Sequence, residues 1–179
     1  IDYIRSSNTT AEAIFMDGAA TSVPANVNDA WGVYMWLAVV QATGAGGGIT
    51  ITGSGSKNNG VTIPANSAIL AASGPITLIG SGYGSGFNAV EVDGTVGQKS
   101  STNVTSSSSN VIIRGNTIVA GTGTIATSGN VVMEPYDNSF SSTFTFPIAG
   151  LTLSGDVNSL IIGKTTNTSN ITIGSATSI

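Results

Sequence analysis

Gly48–Ile63 reads GITITGSGSKNNGVTI, and Pro75–Val92 reads PITLIGSGYGSGFNAVEV. Each is a short apolar strand that alternates by two, then a glycine-serine turn, then a second short strand. Aligning Gly53–Gly55 with Gly80–Gly82 brings Ile49 over Ile76, Ile51 over Leu78 and Val61 close to Val90. Gly32, Gly60 and Ala89 then fall just before Val33, Val61 and Val90. A third copy, NVIIRG at 110–115, follows a polar spacer.

Alternation by two continues along the chain in VTI (61–63), VEV (90–92), VVM (131–133), TFTF (143–146), LTL (151–153) and ITI (171–173). Helical spacing shows only loosely, over 28–41. Sandwiches and hairpin barrels use strands of roughly five to six residues joined by reversing turns, and most of these runs are shorter. A parallel β-helix stacks short strands on their copies about 4.8 Å along an axis. The expected fold is therefore all-β, a right-handed parallel β-helix with coils of just under thirty residues and one or more protruding loops.

In such coils Ile49, Ile51, Ile76, Leu78, Val111 and Ile113 form a continuous inward row, while Thr50, Thr77 and Thr172 present hydroxyls to water. Residues 1–30 repeat poorly and read as an irregular first coil or cap. Coils then fill 31–179, and the spacer at about 98–109 bulges out as a loop. The ends are exposed sheet edges, which permits self-association. The abrupt start at Ile1 and the stop inside a strand-like stretch read as a piece of a longer chain.

Charged residues are only 8% of the chain and the net charge is −4, so there is no basic footprint for nucleic acid. Cysteine and histidine are both absent. That removes disulfides, thiolate chemistry and the usual neutral-pH acid-base and metal-binding group. The apolar run at 30–42 is too short to cross a bilayer.

Chemistry must then come from carboxylates and aromatics. Glu91 and Asp93 in VEVDG lie two apart on one strand face, a pattern that suits glycosidase or lyase work or a weak calcium site; the plainer reading is a solvated face. Glu134 and Asp137 flank a turn at Pro135–Tyr136. Tyr83, Tyr136 and Asp137 join Glu91 and Asp93 as candidate sugar-binding residues. Arg114 has no cationic neighbour in sequence and reads as surface. Trp31, Tyr34, Trp36 and Phe15 cluster early, and Phe140, Phe144 and Phe146 late; both groups read as core filling where coils change width, with an aromatic sugar platform as the alternative. GTGTIA (121–126) lacks the following helix of a phosphate loop. The sequons at Asn8, Asn103, Asn167 and Asn170 are expected by chance in so Asn-, Ser- and Thr-rich a chain. Threonine ladders could bind ice only if one face repeated cleanly, and TxT occurs in scattered places.

SLIIGKTTNTSNITIGSATSI (159–179), with GGITITGSGS (47–56) and ATSGNVVM (126–133), resembles the repetitive passenger region of filamentous haemagglutinin-like bacterial exoproteins, over roughly 32–179. The resemblance implies two-partner secretion, an extracellular or outer-membrane-associated location, and a non-enzymatic adhesive stalk that meets glycans or cell-surface receptors. No Asn is followed by Pro, unlike the asparagine-proline signatures of that family's secretion domain, so an interior segment is implied and no family site residue carries over. No cofactor is expected.

Overall fold

The computed structural model describes residues 2–20, 29–82, 86–98, 106–154 and 157–174. All regular structure among them is β, and the chain circulates so that each circuit adds one strand to each of two sheets, while the first four circuits also share a third. The first circuit holds β1 (Asp2–Ser6), β2 (Ile14–Ala19) and β3 (Val33–Tyr34). The second holds β4 (Ala38–Ala42), β5 (Ile49–Ser54) and β6 (Val61–Ile63), and the third β7 (Ala68–Ala71), β8 (Ile76–Ser81) and β9 (Val90–Val92). The fourth holds β10 (Thr95–Val96), β11 (Val111–Arg114) and β12 (Ile118–Val119), and the fifth β13 (Thr124–Ala126), β14 (Asn130–Glu134) and β15 (Phe144–Phe146). The sixth holds β16 (Thr152–Ser154), β17 (Ser159–Ile162) and β18 (Ile171–Ile173).

Every strand pairs in parallel with its copy in the neighbouring circuit. The first sheet runs β1-β4-β7-β10-β13-β16 and the second β2-β5-β8-β11-β14-β17. The third runs β3-β6-β9-β12, and β15-β18 form a separate pair. This stacking is compatible with a β-solenoid. The repeat alignment holds residue for residue: Ile49 pairs with Ile76, Ile51 with Leu78, Gly53 with Gly80 and Val61 with Val90. Val111 and Ile113 continue the row over Ile76 and Leu78.

The driving force is visible in the alternation. Ile49, Ile51, Ile76, Leu78, Val111 and Ile113 are fully buried, and Val40, Ile69, Val96 and Ile125 form a matching inward stack on the first sheet. Burying such a side chain contributes about 1.5–3 kcal/mol, and parallel pairing satisfies the backbone groups between circuits.

Several expectations are corrected. The opening residues are not irregular where described, since β1 and β2 pair in register with β4 and β5; any strand offering its backbone in register can extend a ladder, whether or not its side chains repeat. The loose helical spacing noted over 28–41 marks no helix among the described residues, which here carry β3 and most of β4. Only part of the spacer at 98–109 can be a protruding loop. Gln98 and Ser106 bridge each other, Ser107 pairs in parallel with Thr127, and Ser107 and Ser109 are fully buried. The Thr127 hydroxyl donates to the carbonyls of Ser107 and Ser109, so these serines belong to the body; residues 99–105 lie outside the described residues. The hydroxyl row is also short. Outward on the second sheet, Thr50 and Thr77 are followed by Ile112, Val132 and Ile161 and preceded by Phe15, while Thr172 stands on a different sheet beside Thr145.

Candidate functional site

The turn from the second sheet to the third is where circuits differ. At Gly53 and Gly80 the outgoing chain touches the returning one, so closely that a Cβ would overlap the carbonyl oxygens of Gly60 and Ala89. Gly18 meets Gly32 in the same way. Beyond the pinches at Gly53 and Gly80 the chain makes an outward excursion, and the two excursions stack: Gly55 N–H donates to Ser81 O and Gly60 N–H to Asn88 O, while Ala20 N–H donates to Ser54 O from the first circuit. Circuits two and three thus build a first fin. Circuit four passes directly from Arg114 through Gly115, Asn116 and Thr117 to Ile118. Circuits five and six build a second fin, tied by Thr168 N–H to Ser139 Oγ (2.7 Å), Ser169 Oγ to Phe140 O (2.6 Å) and Thr166 Oγ1 to Asn138 O (3.1 Å).

Between the fins lies a notch of about 160 Å³ lined by Ser81, Gly82, Phe87, Ala89, Asn116, Thr117, Tyr136, Asp137 and Ser141. Its walls come from circuits three and five, roughly 10 Å apart at two inter-strand spacings, with circuit four as the floor. Phe87 stands on one wall, 38% exposed, and Tyr136 on the other, 50% exposed. Asn116 fixes Asp137 from the floor: its Nδ2 donates to Asp137 Oδ2 (2.6 Å) and its Oδ1 accepts the Asp137 N–H (2.9 Å). Two aromatic faces, an oriented carboxylate and serine hydroxyls are the elements that recognise a sugar, apolar on its C–H face and polar at its hydroxyls.

Asn116 and Thr117 also line a larger cleft of about 420 Å³. Ser141 N–H donates to Asn116 O at its near end, and Gly150, at φ +80°, lies tight on Gly121 at its far end. Between those contacts residues 142–149 run opposite only 117–120, so the chain bows outward and β15 loses its pairing with β12. Phe140, Phe144 and Phe146 are buried beneath the bow, with Phe140 and Phe144 stacked at 4.4 Å. These late aromatics are core filling at a change of coil width.

Of the sequence-derived candidates, Tyr136 and Asp137 meet in the notch; Glu91 and Asp93 do not line it. Glu91 is on the outer face of the third sheet, where Asn59 Nδ2 donates to its Oε2 (2.7 Å). Burial first, and Asp93 second, raise the Glu91 carboxyl above its usual range, against the hydrogen bonds from Asn59 and Thr62. Asp93 Oδ1 accepts the Gly121 N–H (2.5 Å), tying circuit three to circuit four. Both acids therefore have structural partners. No group of three or more potential metal ligands occurs among the described residues. Arg114, paired in register with Glu134, donates to its Oε1 (2.5 Å). Tyr83 lies outside the described residues. Phe87 and Asn116 are the notch residues that sequence reading missed; Phe87 was legible as a second aromatic, after Tyr83, in a glycine-serine loop, whereas nothing local marked Asn116.

No family model, curated protein or solved structure matches the chain. No helix among the described residues is long and apolar enough to cross a membrane.

Proposed function

We propose that the chain is a right-handed parallel β-helix that serves as a stiff stalk segment of an exported bacterial adhesin of the filamentous haemagglutinin type, and that it meets glycans non-enzymatically through the notch between its fins. The notch is the observation that carries this reading: Phe87 and Tyr136 on opposite walls over an Asp137 held by Asn116. Right-handedness follows from the chirality of parallel crossovers, right-handed in about 98% of cases. Export and adhesion rest on the repeat style and on a polar but scarcely ionic surface. Many weak copies along a rod would supply avidity.

A polysaccharide-active enzyme using Glu91 and Asp93 is the competing reading, supported by the raised carboxyl of Glu91 beside Asp93. Against it stand the hydrogen bonds that already occupy both acids. The hydroxyl-ladder ice-binding reading is weakened by Ile112, Val132 and Ile161 in the outward row.

A glycan array with product analysis on each hit tests the proposal. Binding without cleavage that weakens about tenfold in Tyr136→Ala or Asp137→Asn is expected. Turnover that disappears in Glu91→Gln/Asp93→Asn would replace this reading by the enzyme.

A further inference from the structure

The early aromatics behave unlike the late ones. Trp36 is 63% exposed, Tyr34 41% and Phe15 59%. The rings of Tyr34 and Trp36 are nearly parallel, 14° apart with centroids at 6.1 Å, and Trp31 packs behind Tyr34 at 4.9 Å and 45°. Exposed indole and phenol rings held in one orientation are costly to leave in water and are not core filling.

The backbone holds the arrangement. Tyr34 stands outward on β3 between two buried residues, Val33 and Met35. Met35 is fastened on both sides: its N–H donates to Thr62 O, and its carbonyl accepts from Ser67 Oγ. Directly after Trp36, Leu37 adopts φ +51°. That left-handed conformation costs a non-glycine residue roughly 1–2 kcal/mol, and such strain concentrates where a surface has a task. Leu37 O accepts the Asp2 N–H, which locks the turn into the first sheet.

Along the outer row of the third sheet Tyr34 is followed by Thr62, then Glu91. Asn59 Nδ2 reaches both Thr62 Oγ1 (3.2 Å) and Glu91 Oε2 (2.7 Å), and Asn59 and Thr62 are buried, so an internally satisfied polar network supports the row that carries Tyr34. Asp2 is held at the turn after Trp36 by its N–H to Leu37 O, Asp29 precedes Trp31 by two residues and accepts from Asn58 Nδ2, and Glu91 follows Thr62 in the outward row; the cations on these same segments are Lys57, next to Asn58, and Arg5, whose guanidinium lies over the Tyr3 ring. An excess of carboxylates beside stacking rings repels acidic sugars and leaves uncharged ones.

We propose that the Trp31–Tyr34–Trp36 cluster is a stacking platform for neutral oligosaccharides, a carbohydrate subsite separate from the notch. It rests on the glycan-binding reading above and deepens it by naming the ligand class. The apolar C–H face of a pyranose lies on the Trp36 and Tyr34 rings, and its hydroxyls are left for water.

The chain has two tryptophans, both in the platform, so intrinsic tryptophan emission reports on this site alone. The probes are neutral hexaoses (cello-, xylo-, manno- and malto-series) with oligogalacturonate as the acidic counterpart, titrated by emission and by calorimetry. A neutral hexaose is expected to change the emission and release heat, oligogalacturonate to do neither. Trp36→Ala and Tyr34→Ala should each weaken binding about tenfold or more, Trp36→Phe should retain most of it, and Ile161→Thr, outward on the second sheet and outside both sites, should leave it unchanged. Neutral-sugar binding that survives Trp36→Ala and Tyr34→Ala but is lost in Tyr136→Ala overturns the platform and keeps the notch. If neutral sugars give no heat, the platform is overturned, and binding of oligogalacturonate lost in Tyr136→Ala would still uphold the notch. Silence toward every glycan overturns both.

Discussion

Glu91 shows how an apparent catalytic acid is turned to structural use. Its carboxyl sits against Asn59 and Thr62 in the third sheet, and burial is the main reason it holds its proton more tightly than a free glutamate. A folded-state value above the unfolded one means that its contribution to stability is fully present below the ordinary value of 4.5 and is lost as pH rises through the raised value. Gln at this position keeps an oxygen for Asn59 Nδ2 and carries no charge. Glu91→Gln is therefore expected to melt like the parent near pH 4 and above it at neutral pH, in thermal scans across that range. A variant that follows the parent at every pH would show that this carboxyl does not couple to folding.

At the level of elements, the pinch between outgoing and returning chain decides where fins form. Gly18, Gly53 and Gly80 stand in one column of the second sheet, each against a carbonyl of the returning leg. Gly115 occupies the same column in circuit four, where the chain turns directly and the nearest neighbour is the Ala89 side chain. Gly80→Ala forces the two legs apart and is expected to cost about 1–3 kcal/mol in urea unfolding. Gly86, whose Cβ would meet nothing within 4 Å, is the control, and Gly86→Ala should stay within about 0.5 kcal/mol. Equal effects at the two sites would mean that the fin legs separate without penalty.

For the whole molecule, stacking makes stability close to a sum over neighbouring circuits. Because Ile49 pairs with Ile76 and Ile51 with Leu78, removing 49–75 joins Gly48 to Ile76 and deletes one complete circuit without changing register. The shortened chain is expected to keep a β-rich circular dichroism spectrum and a cooperative melt at somewhat lower temperature. Collapse to a disordered chain would show that the circuits are not interchangeable units.

The sequence by itself determined the inward rows and the circuit. Alternating Ile, Leu and Val that recur along the chain can bury one face only by stacking like on like, as Ile51 and Leu78 do; the expected period of just under thirty residues fits Ile49 to Ile76 and Val131 to Leu160, but Val111 to Val131 is shorter and Ile14 to Ile49 and Ile76 to Val111 are longer, because turn lengths vary outside the paired strands. It did not reveal most of the first sheet, because AVVQA, AILA, TV and TIA are short or alanine-rich and are strands only through the neighbours that pair with them. Nor did it separate the two aromatic groups: phenylalanine is buried at Phe140, Phe144 and Phe146 but exposed at Phe15, as are Tyr34 and Trp36. Which happens depends on whether the circuit bows outward over the ring or turns sharply beneath it. The notch was half legible, in Tyr136 and Asp137. Its other half, Phe87 and Asn116, lies 20 or more residues away in sequence, and only the stacking of a finless circuit between two finned ones brings the parts together.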